Sequence, residues 1–118
     1  MEDFILREID RLGEMLTLVA RRLGLLDGGT PGYTVKDVEA EFGNAGFPVD
    51  VDAILKHENP IWFLVEQMKA SDYAVEIFVE ILFNSDLEDS VKEAILNDAL
   101  AYLDGKGHFS FRLHSLKM

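Results

Sequence analysis

Glu76 and Glu80 are the first candidates for chemistry: two carboxylates inside the run Tyr73-Ala74-Val75-Glu76-Ile77-Phe78-Val79-Glu80-Ile81-Leu82-Phe83-Asn84. Four residues apart, they share one line down a helix. If that helix is buried, a carboxyl held among apolar neighbours has a raised pKa and can serve as a general acid or base. Asp98, which interrupts the apolar pattern of a later segment, raises the same question. The chain has three histidines, His57, His108 and His114, and any of them could complete such a site. A small-ligand-binding protein or enzyme therefore requires Glu76, Glu80 or Asp98 to meet an imidazole in a closed pocket. The opposing reading is a solvated stripe, because glutamate is seldom buried unless paired.

Other chemistries find less support. No two histidines have the helical spacing of a metal motif, and His57-Glu58, being adjacent, diverge on a helix. There is no cysteine, hence no thiolate ligand and no disulfide. The glycines of Asp27-Gly28-Gly29-Thr30-Pro31-Gly32 follow a helix end and lack the Gly-Lys-Ser/Thr of a phosphate loop, so they are read as a turn. No Gly-x-Ser-x-Gly elbow is present. Trp62 is expected in the core. The residues thus point to no catalytic, cofactor-binding or metal-binding set.

Charge narrows the partners. The net charge is −11, and residues 27–105 alone carry four basic and seventeen acidic groups, a net −13. Residues 106–118 carry three basic groups and no acid. The acidic middle repels phosphates and anionic lipid heads, which argues against nucleic acid and membrane surfaces as partners. It also admits a third reading, an acidic surface that mimics nucleic acid and occupies a basic partner. Met1-Glu2-Asp3 lacks the basic start of a secretory signal, and the absence of cysteine suits a reducing compartment, so a cytoplasmic location is expected.

The elements that must position these groups read as helices throughout. With 48% hydrophobic residues in 118, the chain has ample core for a single domain. The run 73–84 is apolar nearly all round, so it belongs at the centre, and it is too short for a bilayer, which needs about 20 apolar residues. Ile5, Ile9, Leu12, Leu16, Val19, Leu23 and Leu26 recur at steps of four and three, predicting a long helix over 3–26. Its apolar face either docks on its own domain or pairs with a second copy. Thr34–Asp37 has capping-box spacing and opens short helices over 34–57. Asn59-Pro60 starts a helical hairpin core spanning 60–104, and Ser85-Asp86-Leu87-Glu88 reads as the capping box of its last helix. In the tail 108–118, Phe109, Phe111 and Leu113 alternate as in a strand, while Phe109, Leu113 and Leu116 fit a helix capped by Ser110. Without a strand to pair with, a short helix is expected. The expected fold is all-α: a compact bundle of about six to seven helices, with antiparallel hairpins around a buried central helix 73–84.

The helices over 60–70 and 73–84, with Asp72-Tyr73-Ala74 at the turn and a third helix behind, resemble the hairpins of tetratricopeptide-like proteins. The opening Asp3-Phe4-Ile5-Leu6-Arg7-Glu8-Ile9-Asp10 is similar to the start of a family of small bacterial helical proteins of unknown function. The resemblance implies a protein-binding fold without catalytic residues. The leading expectation is therefore a protein-interaction or assembly module. Its partner is either an unidentified protein or a second copy meeting it along Ile5, Ile9, Leu12, Leu16, Val19 and Leu23.

Overall fold

A computed structural model of the chain describes residues 11–25, 32–45 and 51–116. Seven helices account for most of them: α1 (Arg11–Arg22), α2 (Val35–Asn44), α3 (Val51–Lys56), α4 (Pro60–Gln67), α5 (Asp72–Phe83), α6 (Asp89–Gly105) and α7 (Phe111–Leu116). No strand occurs among the described residues, and the tail forms α7. Ser110, itself buried, opens that helix by accepting the Leu113 N–H at 3.1 Å. No helix among the described residues is long and apolar enough to cross a membrane.

The bundle is built around α5. Its Ala74, Val75, Ile77, Phe78, Val79, Ile81 and Leu82 are all buried. α1 makes the most extensive contact with it, followed by α6 and α7. Leu12, Leu16, Val19 and Ala20 of α1 join the same core. From α2, the Phe42 ring lies parallel to that of Phe78 with centroids 6.3 Å apart, an offset stack. α4 packs on both α5 and α6, so consecutive helices of the 60–104 core fold back on one another.

A buried helix end needs donors for carbonyls that have no intrahelical partner. At the C-terminus of α5 three residues supply them. Asn84 donates its backbone N–H and its side-chain amide to the Glu80 carbonyl, at 3.2 and 2.9 Å. Tyr33 donates its hydroxyl to the Ile81 carbonyl at 2.6 Å, across 48 residues of chain. Ser85 closes the Leu82 carbonyl with its hydroxyl at 2.6 Å and its backbone N–H at 3.1 Å. At the other end, Ser71 accepts the Ala74 N–H at 3.1 Å. The Tyr33 segment leads directly into α2, whose Thr34–Asp37 capping box is fully formed. Asp86 accepts the Val35 N–H at 2.9 Å, adding a carboxylate at the positive end of α2.

Three boundaries differ from expectation. α1 ends at Arg22 rather than near residue 26, because Gly24 turns at φ 81 and donates its N–H to the Arg21 carbonyl. α6 begins at Asp89, with Glu88 at its cap making no side-chain hydrogen bond. Ser85 does not start this helix: its hydroxyl donates back to the Leu82 carbonyl, and its oxygen accepts the Leu87 N–H at 3.4 Å, two residues on rather than the three of a capping box. The α4–α5 turn is made by Lys69 at φ 58, with the Ala70 N–H reaching back to the Leu64 carbonyl at 3.0 Å. That is a helix-ending turn usually given to glycine. The first eight residues of the expected helix 3–26 and the loop glycines Gly28 and Gly29 lie outside the described residues.

The packing of α1 on α5 makes a test. Leu16→Ala deletes a side chain only 2% exposed and should lower the stability by about 3 kcal/mol, read from urea unfolding. An unchanged midpoint would show that α1 is not part of the cooperative core.

Candidate functional site

Asp72, Glu76 and Glu80 follow one another along α5 at four-residue steps, the one polar line on an otherwise apolar helix. Each meets a different neighbour. Lys106 Nζ lies 2.8 Å from Asp72 Oδ1, and that hydrogen bond holds the ammonium pKa above its ordinary value. His108 Nε2 lies 2.6 Å from Glu76 Oε1, with the Glu76 side chain 12% exposed and that of His108 40%. Glu80 carries its charge near Tyr33, whose phenol is raised from 10.0, chiefly by burial and secondarily by Glu80.

Local structure explains how the two bases arrive. α6 ends at Gly105, and the chain turns back at Gly107, whose φ of 77 suits a residue without Cβ. The Lys106 and His108 N–H groups both return to the Leu103 carbonyl, at 3.1 and 2.9 Å. The turn is thereby held so that Lys106 and His108 reach carboxylates one helical turn apart. Glu76–His108 brings an acid and an imidazole together, which is one of the two things the catalytic reading required, the other being a closed pocket around them. It also staples the α6–α7 connection to the central helix.

Glu80 and Asp98 do not join it. Asp98 is on the exposed side of α6, where it lines a shallow groove of about 400 Å³ with Glu58, Asn59, Trp62 and Tyr102. Trp62, expected in the core, is instead 45% exposed. The reason is helical phase. Asn59 caps α4 by accepting the Trp62 N–H at 3.1 Å, and Ile61 and Leu64, three apart, take the inward positions. That spacing was visible in the sequence. His57 backs the indole at a centroid distance of 6.1 Å, and its Nδ1 accepts the Asn59 N–H at 3.2 Å. His114 lies elsewhere, stacked on Phe109 at 4.5 Å. The three histidines therefore serve three separate places. Among the described residues no group of three or more His, Asp or Glu side chains is arranged to hold a metal ion.

The residues expected to face a partner divide similarly. Leu12, Leu16 and Val19 are 8%, 2% and 0% exposed, and Leu23 packs partly buried against the same core. Ile5 and Ile9 lie outside the described residues. Two features escaped the sequence reading altogether: the buried Tyr33 hydroxyl and the Lys106–Asp72 pair. Both join residues far apart in the chain, so no spacing rule could find them. Among known proteins, the chain matches no family model, no curated protein and no solved structure.

Two measurements check this account. Because Tyr33 is held neutral in the fold beyond the 10.0 at which it ionises when unfolded, its contribution is complete below that pH and is lost as pH rises above it. Tyr33→Phe should cost about 1 kcal/mol near neutrality, leaving the Ile81 carbonyl without its donor, and should reduce the alkaline loss of stability. An unreduced alkaline loss would place this ionisation elsewhere. For the staple, a double-mutant cycle of Glu76→Ala and His108→Ala should give a coupling energy of about 1 kcal/mol, and zero coupling would mean the pair holds nothing.

Proposed function

We propose that this chain is a protein-interaction or assembly module without catalytic activity. The observation that carries the reading is the placement of large side chains: Trp62, Phe109 and Phe111 stand 45%, 57% and 80% exposed. Aromatic residues are over-represented among the few positions that dominate binding energy in protein interfaces. Phe109 and Phe111 meet edge to face at 4.8 Å, so they form one projection rather than two scattered residues. The candidate acids lie apart, with Glu76 paired to His108 as a fastening and Asp98 in a separate groove.

The kind of partner follows from charge and burial. A chain of net charge −11 is a poor match for nucleic acid or an anionic membrane, and a protein surface fits better. A second copy would meet the exposed aromatics, since using the α1 seam would draw Leu12, Leu16 and Val19 out of the core. A cytoplasmic location and a kinship with tetratricopeptide-like bacterial proteins belong to the same proposal. They rest on the cysteine-free composition and on the hairpin pattern of 60–84.

The test uses a photo-crosslinking amino acid placed at Phe111 or at Trp62 in cells of the native host. A discrete protein adduct at either position, heterologous or self, supports the module. Phe111→Ala, at a position 80% exposed, should leave the stability within about 0.5 kcal/mol while reducing capture of that partner. No adduct at either position would sink the reading.

A further inference from the structure

We infer that the groove between α4 and α6 is a docking site for an arginine-bearing basic segment of a partner polypeptide. The inference rests on the interaction-module reading and names the partner chemistry for one of its surfaces. The lining combines two aromatic rings, Trp62 and Tyr102, with two carboxylates, Glu58 and Asp98, and the neutral amide Asn59. Among the described residues none that lines it is basic. Among the described residues neither Glu58 nor Asp98 makes an ion pair, whereas Asp52, Asp72 and Glu76 each do.

That combination suits a guanidinium. Its flat face stacks on indole or phenol through cation–π attraction, and its edge pairs with carboxylates. Tyr102 already shows this tendency within the chain, with the Lys106 ammonium 5.4 Å from its ring centroid. The Asn59 cap fixes the Trp62 backbone at the start of α4, and the His57 ring lies beside the indole at a centroid distance of 6.1 Å without covering it. The groove belongs to the segment 27–105, whose charge of −13 would steer a basic partner from a distance and do so less at high salt.

Trp62 is the only tryptophan in the chain, so its emission reports on this groove alone. A short oligoarginine peptide, titrated into the full chain near neutral pH and low salt, should change that emission saturably. Its citrulline counterpart, equal in size but uncharged, should not. The double variant Glu58→Gln/Asp98→Asn should weaken binding by about tenfold or more, as expected for losing two charge-assisted contacts. The control Asp89→Asn/Glu93→Gln removes the same charge from exposed positions of α6 outside the groove and should leave the affinity within about twofold. Helical circular dichroism of both variants confirms that each is folded. Equal weakening by the two pairs would reduce the effect to the general acidic field and overturn the assignment. So would an absent emission change, or equal binding of the citrulline peptide. In each of those cases a crosslinked partner at Phe111 would still stand, so the groove can fail without the module failing.

Discussion

Burying α5 is the constraint to which the other elements answer. Seven of its twelve residues are removed from water, and its C-terminal carbonyls go with them. Apolar side chains can be covered by any helix with a matching face, but a buried carbonyl needs a donor at hydrogen-bond distance and angle. Tyr33, Asn84 and Ser85 meet that need, one carbonyl each. Tyr33 comes from far along the chain, and bringing it there draws in α2, whose start is then tied by Asp86 to the loop beyond α5. A polar requirement at one helix end thus decides where a second helix begins.

The acidic line on α5 follows the same logic. Asp72, Glu76 and Glu80 lie on the half-buried face of the enclosed helix, where neighbours of complementary character meet them. Lys106 and His108, at the turn closing α6, take the first two, and the tail of the chain is held against the central helix as a result. An acid and an imidazole in contact look like catalytic machinery, and here their geometry equally serves as a fastening. The surface is left with a different resource. Helical phase turns Trp62 outward, and Phe109 and Phe111 stand exposed where the last helix begins, so the chain keeps rings available for recognition.

Much of the fold could be read from residue order. The apolar run after Asp72, the three-and-four stepping of Leu12, Leu16 and Val19, and the cap signals Thr34–Asp37 and Asn59-Pro60 each describe local periodicity or local hydrogen bonding. Those are properties a sequence states directly. The start of α6 shows the limit: Ser85 has the right spacing to open a helix, yet its hydroxyl closes a turn, donating to the Leu82 carbonyl and accepting the Leu87 N–H, and the helix begins four residues later. Trp62 was misjudged because bulk alone suggests burial, whereas the phase set by Asn59 turns the ring outward.

Sequence by itself determined that this chain is helical, which segment is enclosed, and that its surface is strongly acidic, because each follows from near neighbours and composition. Tertiary structure alone decided that Glu76 rather than Glu80 or Asp98 meets a histidine, that Tyr33 completes a helix it does not belong to, and that Asp98 shares a groove with Trp62. These depend on how helices are set against one another, and contacts between residues dozens of positions apart leave no periodic trace in the chain.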